Sequence, residues 1–317
     1  MNLRIFYLFV LLVIVFALSV FIGPVAVPAD FWHYSLDKSI IYDIRVPRII
    51  LACMVGGSIS VAGVVYQSIF KNPLASPDVL GSAFGCAFGA SVGILLGETM
   101  FVIQMLSFFF GILATFITFY VAKKDDRIDI LSLVIYGIIT GSFFSSLLGI
   151  VKYFADPDNK LPAITFWLMG SFSDASWKDV YISLLSIIPF LYISYKRWFL
   201  NVAILEDEEA KALGFDIDRF RVLMIMLSTV MVSISISLVG IIGWIGLVIP
   251  HFTKLIVGTD SKHLVPASFI TGAIFLILCD DMARSLTTGE IPIGIITSFI
   301  SAPLFGFLYK INYVKNK

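Results

Sequence analysis

Ten separate stretches of about 20 apolar residues are the feature of this sequence that most restricts its fold. A helix of about 20 apolar residues spans the hydrocarbon core of a bilayer, whereas loops and open strands would leave backbone polar groups without partners there. The sequence therefore predicts an all-α membrane protein with about ten transmembrane helices, folded as a single domain over residues 1–317. The stretches lie near residues 4–23, 46–68, 78–97, 101–122, 130–152, 179–198, 221–241, 243–258, 264–284 and 291–310.

The overall composition supports this prediction. Of 317 residues, 59% are hydrophobic and 14% are charged, whereas soluble domains are about 45–50% apolar and about 25% charged. The 22 basic and 22 acidic residues cancel, which argues against nucleic-acid binding. Cys53, Cys86 and Cys279 each stand alone in an apolar stretch. We therefore expect no metal site, no cofactor and no catalytic residues.

The lysines and arginines between the apolar stretches predict the orientation of the chain, because cytoplasmic segments retain these residues. If both termini are cytoplasmic, the inner segments hold 15 of them and the outer segments hold 7. We therefore expect both termini in the cytoplasm. The apolar run within residues 4–23 is longer than that of a cleaved signal peptide, so it is interpreted as a retained first span.

A polar corner, KNPLASP at residues 71–77, separates the second and third apolar stretches. Pro73 and Pro77 lack an amide donor and disfavour helix in the residue before them, so the second helix should end near Phe70. Asn72 can bond the backbone groups that this end leaves free. These residues predict a structural turn without direct chemistry.

The segment ILEDEEAKALGFDIDRFR, residues 204–221, carries the largest group of charges. Acidic residues at 206–209 suit the N-terminus of a short helix, and Gly214 suits its C-terminus. Asp216 is placed to cap a second helix that enters the seventh span. Short helices outside the membrane favour a cytoplasmic docking segment at about residues 200–221, although a solvated loop would have the same composition.

Arg45, Arg48 and Arg284 stand at predicted outer ends of helices. Arginines at such positions commonly extend towards the lipid headgroups. Arg284 also follows Asp280 by four residues and Asp281 by three, which is the spacing of an internal ion pair. Three arginines that converge on one face would instead bind the carboxylates of a partner. The residues by themselves leave these alternatives open.

The sequence contains no phosphate-binding loop of the GxxxxGK type, so we do not expect this chain to hydrolyse ATP. The alternative from a different class, an ion-coupled secondary transporter, needs ionisable residues at mid-membrane depth. His251 is the main such residue recognised here, and it is interpreted as a packing residue. An intramembrane enzyme would need paired catalytic groups, but Asp280 and Asp281 should point about 100° apart on a helix.

Seven ordered motifs extend over about residues 40–310. They are RVPR at 45–48, GVVYQSIFKNPLASPDVLG at 63–81, FWLMGSFSDASW at 166–177, EEAKALGFDIDRFR at 208–221, GLVIPHFTKLIVG at 246–258, LCDDMAR at 278–284 and EIPIGIITSFISAPLF at 290–305. Together they resemble the binding-protein-dependent ABC permeases of the FecCD type, which import iron(III) siderophores, haem and cobalamin. The resemblance implies the type II ABC importer permease fold in a bacterial or archaeal cytoplasmic membrane.

The resemblance also implies partners: a second permease subunit, identical or paralogous, two cytoplasmic ABC ATPases and an extracytoplasmic substrate-binding protein. Arg45, Arg48 and Arg284 match arginines that face acidic residues of the binding protein. The segment implied to dock in the ATPase comprises Glu208, Glu209, Ala210, Lys211, Ala212, Leu213 and Gly214. We therefore expect an importer permease for a bulky metal chelate, an iron(III) siderophore or haem. A cobalamin importer of the same family is the alternative.

Overall fold

The computed structural model describes residues 3–25, 38–124, 127–287 and 289–315, and these residues are almost entirely helical. A two-residue antiparallel pair, β1 Lys123–Lys124 and β2 Arg127–Ile128, joins two of the helices. The helices are α1 Leu3–Ser19, α2 Val46–Ile69, α3 Ser82–Leu96, α4 Met100–Ala122, α5 Ile130–Phe154, α6 Lys160–Met169, α7 Trp177–Ser183, α8 Ile187–Lys196, α9 Phe199–Ala203, α10 Asp207–Ala212, α11 Ile217–Val239, α12 Ile245–Val257, α13 Ser261–Ser285 and α14 Ile293–Lys315.

Each of the ten predicted apolar stretches coincides with a helical segment, so the predicted fold class is confirmed. The sixth stretch consists of α7 and α8 joined by a 3₁₀ turn, Leu184–Ser186. A π-helix at Ile40–Arg45 leads directly into α2. Five segments are long and apolar enough to cross a membrane: Ile40–Ile69, α4, α5, α11 and α13.

The helix α2 forms the centre of the bundle. In the most apolar 18 residues of the segment Ile40–Ile69, 89% are buried, whereas the corresponding share is 33% in α4 and in α5. Glycines allow its neighbours to approach closely: a Cβ atom added to Gly56 would lie 2.3 Å from the Gly272 carbonyl oxygen in α13. One added to Gly63 would lie 1.9 Å from the Gly246 carbonyl oxygen in α12. Both neighbouring helices therefore pack against the α2 backbone itself.

The polar corner begins directly after α2. This helix ends with Phe70 as its C-cap, as Pro73 and Pro77 of the corner predict. Lys71 has a positive φ of 49°. The Asn72 side-chain oxygen then accepts a hydrogen bond from the Leu74 amide at 2.9 Å. A 3₁₀ turn at Pro77–Leu80 follows and leads into α3. The chain therefore reverses through a turn made largely by its own local hydrogen bonds.

The helices α3 and α12 are too short to cross a membrane by themselves. They contain 15 and 13 residues, or about 22 and 20 Å at about 1.5 Å per residue, against a hydrocarbon core of about 30 Å. Each is preceded by irregular backbone, the polar corner before α3 and residues 240–244 before α12. These two breaks meet inside the bundle, where a Cβ atom on Gly246 would lie 2.6 Å from Pro77.

Candidate functional site

The first group of charged residues, here called the coupling cluster, consists of Lys71, Asp207 and Arg221. The Asp207 carboxylate at the start of α10 accepts hydrogen bonds from the Arg221 guanidinium at 2.6 and 2.8 Å. It also accepts one from the Lys71 ammonium at 3.1 Å. The hydrogen bonds from Arg221 hold the pKa of Asp207 well below its usual range. One carboxylate therefore joins α10 to α11 and to the corner after α2.

The helix α10 presents most of the predicted ATPase segment to solvent. Glu208, Glu209, Ala212 and Gly214 are exposed, and the Leu213 side chain is 69% exposed. These exposed side chains leave the outer face of the segment accessible, and a contact of this face with a partner stays a prediction.

The remaining residues of this segment fix the helix in place. Ala210 is buried and packs into the hydrophobic core. Lys211 contributes backbone to α10, and its side chain lies outside the part of the chain that the structure describes. The predicted cap of the next helix is confirmed, since the Asp216 carboxylate accepts a hydrogen bond from the Arg219 amide at 3.2 Å. The segment is thus a short helix with one buried and one exposed face.

The second group, here called the arginine cluster, contains Arg45, Arg48 and Arg284 with their partners. The Arg48 guanidinium donates to both Asp280 oxygens at 2.8–3.0 Å and to both Glu290 oxygens at 2.7 and 2.9 Å. The side chains of Arg48 and Asp280 are 6% and 2% exposed. This bidentate network joins α2, α13 and the segment before α14.

Arg284 bonds to a different set of groups. Its guanidinium contacts Asp281 and donates to the Ser19 hydroxyl at 2.7 Å and the Ser19 carbonyl at 2.8 Å. The internal ion pair that the spacing of Arg284 and Asp281 predicts is therefore confirmed. Arg45 donates to the carbonyl oxygens of Val20 and Val25. The end of α1 is thereby held against the ends of α2 and α13.

All three arginines are buried, and three carboxylates of the described residues, Asp280, Asp281 and Glu290, lie among them. Arg48 and Arg284 are paired with these carboxylates, whereas Arg45 is bonded to backbone carbonyl oxygens. A direct contact of these guanidinium groups with a partner stays a prediction.

The two clusters lie at opposite ends of α2. Arg48 is the third residue of this helix, and Lys71 follows its last residue by two positions. A helix of 24 residues is about 36 Å long at about 1.5 Å per residue. The geometry thus provides two separate charged ends connected by one buried helix.

His251 has the contacts of a packing residue. Its Nδ1 lies 3.3 Å from the Leu247 carbonyl oxygen, and its ring packs edge-on against Phe305 at 5.6 Å between centroids. Residues 3–25, 38–124, 127–287 and 289–315 contain no group of three or more His, Cys, Asp or Glu side chains arranged to hold a metal ion.

The contacts or positions of three acidic residues could not be predicted from the sequence. Asp207 and Glu290 bond arginines that lie 14 and 242 positions away, and nothing in the sequence identifies those partners. Asp78 begins the third apolar stretch, 78–97, and no feature of the sequence assigned it a role. In the structure it lines a small cavity between the two breaks, together with Pro77 and Trp244.

A model of the FecCD transport family matches residues 11–310. The molybdate import system permease protein MolB of Haemophilus influenzae is 37% identical, over 87% of this chain and 82% of the relative. The "Probable iron chelatin transport system permease protein" of Helicobacter pylori is 38% identical, over 85% and 82%. The vitamin B12 import system permease protein BtuC of Vibrio cholerae is 31% identical, over 88% and 84%.

Solved structures agree with these sequence matches. One, assigned to the metal-chelate type of ABC transporter and captured in an inward-facing conformation, superposes with a TM-score of 0.91. It is 36% identical, and the match covers 96% of this chain and 98% of that one. PsaBC from Streptococcus pneumoniae has a TM-score of 0.59 at 18% identity, which indicates a related fold.

Proposed function

The chain belongs to the FecCD transport family, and on this premise we propose that it carries a bulky metal chelate, an iron(III) siderophore or haem, across the membrane. It is a multi-pass ABC importer permease, a transport subunit without enzymatic activity of its own, and the ATPase is a separate subunit. Relatives named for iron chelatin support an iron cargo. Relatives named for vitamin B12 favour cobalamin as the second candidate.

The observation that carries the mechanism is the separation of the two clusters by α2. We propose that two ATPases bind the exposed face of α10, through Glu208, Glu209 and Leu213, with Ala210, Lys211, Ala212 and Gly214 forming the rest of the segment. Because Asp207 bonds both Lys71 and Arg221, a displacement of α10 would move the corner after α2 and the start of α11 together. Such a movement can switch the pathway between outward and inward access.

At the opposite end, Arg45, Arg48 and Arg284 are proposed to define the surface on which an extracytoplasmic substrate-binding protein docks. Since the three guanidinium groups are buried, they would act by holding the ends of α1, α2 and α13 in a fixed arrangement. This proposal places α10 and both termini in the cytoplasm, in agreement with the distribution of lysine and arginine. A second permease subunit, identical or paralogous, would complete the pathway.

Reconstitution tests the whole scheme. The permease, its ATPases and its binding protein are placed in proteoliposomes, and uptake of iron(III) ferrichrome, haem, cobalamin or molybdate is measured. We expect uptake of one iron chelate that requires ATP, the ATPases and the binding protein. Uptake that continues without ATPase and binding protein would refute the scheme, and uptake of cobalamin or molybdate alone would reject the iron cargo.

The ATPase contact is tested by Leu213→Asp, which should prevent co-purification of the ATPases because a charge replaces an exposed apolar contact. Leu286→Asp is the matched control, since Leu286 is exposed to 58% beyond the end of α13. Its ATPase assembly should be unchanged. Equal co-purification by both variants would exclude Leu213 from the contact.

The docking surface is tested by Arg45→Gln, which removes the charge and keeps an amide that can donate to the Val20 carbonyl. Affinity for the binding protein should fall while ATPase assembly stays intact. Arg219→Gln, at the coupling end of the chain, serves as the control and should leave docking unchanged. Unaltered docking in Arg45→Gln would remove this residue from the surface.

A further inference from the structure

Asp78 lies beside the middle of α2, a position that corresponds to mid-membrane depth when α2 spans the bilayer. It belongs to the 3₁₀ turn Pro77–Leu80 and lines a small cavity with Ile59, near the midpoint of α2. Just after it, a Cβ atom on Gly81 would lie 2.9 Å from the amide nitrogen of Gly141, near the midpoint of α5. The corner therefore carries the chain from the end of α2 back into the middle of the bundle, where α3 begins.

The Asp78 side chain is exposed at this depth. Ser76 is its hydrogen-bonding neighbour. Within the described ranges of the chain, no lysine, arginine or histidine lies within ion-pair distance of its carboxylate. It thus differs from Asp280 and Asp281, whose charges are matched by arginines.

An unpaired carboxylate cannot face lipid at this depth without a large penalty, since an aspartate at the bilayer centre costs about 2.5–3.5 kcal/mol or more. The face that carries Asp78 must therefore be covered by something other than hydrocarbon. Ionisable residues at this depth face the interior of a bundle or a water-filled cavity, and in transport proteins they commonly mark the route of the cargo.

Trp244 provides an independent indication that this cavity is functional. It lines the same cavity and has a φ of 72°, a conformation that is rare for a bulky residue and that concentrates at functional sites. In the described part of the chain, Trp244 and Lys71 are the two non-glycine residues with positive φ. The Trp244 side chain is 38% exposed beside Asp78, so an aromatic and an anionic group share one accessible surface.

We infer that Asp78 lies on the wall of the cargo pathway and makes that pathway electronegative. Of the proposed cargoes, this favours a neutral or cationic iron(III) siderophore over haem, whose two propionates are anionic, and it disfavours small oxyanions such as molybdate. The inference rests on the proposed function, because it requires a pathway through the membrane. Under this inference the permease itself selects cargo by charge, in addition to the specificity of the binding protein. Hydrogen bonding by Ser76 and the aromatic face of Trp244 suit a chelate with a polar rim.

The potential at this wall can be measured with a reporter thiol. In a chain with Cys53, Cys86 and Cys279 replaced by alanine, Ser76→Cys places a thiol two residues from Asp78. The full transporter in proteoliposomes is treated with a cationic trimethylammonium methanethiosulfonate or an anionic sulfonate analogue. The ratio of the two reaction rates is measured in the reporter chain that retains Asp78 and in the same chain with Asp78→Asn, each with and without nucleotide. Trp244→Cys supplies a second reporter if Ser76→Cys fails to assemble.

We expect the cationic reagent to react faster, and its advantage to fall about five- to tenfold in Asp78→Asn, as one charge at about 7 Å in water would produce. Asp78→Glu should restore the advantage. The inference would be overturned by an unchanged ratio. It would also be overturned if the thiol failed to react in every nucleotide state while the same chains retained ATP-dependent uptake. That uptake is measured in parallel, so a failure of the proposed function would be recognised by its loss.

Discussion

The arginine cluster and the coupling cluster use the same chemistry in different surroundings. In each, an arginine donates hydrogen bonds to both carboxylate oxygens of an aspartate. The side chains of Arg48 and Asp280 are 6% and 2% exposed, whereas those of Arg221 and Asp207 are 1% and 44% exposed. Both charges are thus withdrawn from water at one end of α2, and only the arginine is at the other.

This difference in exposure determines which ion pair can separate at the smaller cost in free energy. Separating Arg48 from Asp280 would break a closely bonded pair of buried charges and leave Asp280 with only the more distant Arg284, at 3.7 Å, which is strongly unfavourable. Separating Asp207 from its partners leaves a carboxylate that water already reaches, so the cost is smaller. The coupling cluster is therefore suited to transmit movement, and the arginine cluster is suited to keep three helix ends fixed while that movement occurs.

The largest effect is expected from Arg48→Ala. It leaves Asp280 buried with only the more distant Arg284, at 3.7 Å, so the free energy of unfolding should fall by about 3 kcal/mol, near the lower end of the range for breaking a buried pair. Denaturation of the purified protein in detergent, followed by tryptophan fluorescence, measures this change. The matched control is Arg219→Ala, whose side chain is 90% exposed in its pair with Asp216 and which should cost less than about 1 kcal/mol.

A double substitution sharpens this result. Arg48→Met combined with Asp280→Leu removes both charges and fills their volume, so most of the lost stability should return. If Arg48→Ala is no more destabilising than Arg219→Ala, the contrast between the two clusters is wrong.

An intermediate effect is expected from Asp207→Asn. This change weakens the hydrogen bonds to the buried Arg221, and bonds to charged groups contribute about 1.5–3 kcal/mol each. Arg221 keeps a more distant acidic neighbour, Asp218, at 3.9 Å, which limits the loss. ATP-driven uptake should decline more than stability does, because α10 is then less firmly joined to α2. Full uptake at reduced stability would exclude a role for Asp207 in coupling.

A small effect on stability is expected from Lys71→Met. The Lys71 and Asp207 side chains are 28% and 44% exposed, and pairs with such exposure contribute about 0.2–1 kcal/mol. A double-mutant cycle with Asp207→Asn isolates this pairwise energy. A coupling energy as large as that between Arg48 and Asp280 would show that exposure does not separate the two clusters.

The smallest expected change is the loss of the stability that Asp207 contributes, and it occurs only when the pH is lowered. The folded-state pKa of Asp207 is depressed, chiefly by its hydrogen bonds with Arg221. Its contribution to stability is therefore fully present above the unfolded pKa of about 3.9 and is lost as the pH falls from there through the lower folded value. The stability difference between the native chain and Asp207→Asn, measured between pH 6 and 3, should shrink towards the acidic end. A constant difference would contradict the pairing.

The positions of the ten helices could be predicted well from the sequence because each apolar stretch is local and about as long as a span. The start of the third helix was less accurate, since the stretch was taken to begin at Asp78 and α3 begins at Ser82. Apolar composition does not distinguish a helix from the 3₁₀ turn that precedes it. The short α10 followed from its acidic N-terminus and from Gly214, which are also local signals.

By itself, the sequence determined that this protein spans a membrane, where its helices lie and which residues form the exposed segment at α10. Hydrophobic length and helix-capping residues act over a few positions, so they can be read along the chain. The tertiary structure alone decided that Arg48 is bonded to Asp280 and Glu290, that Asp207 joins three elements and that Asp78 lines a cavity beside the middle of α2. Those outcomes depend on which distant side chains share a buried, low-dielectric space, because there a charge must find a partner or remain in contact with water.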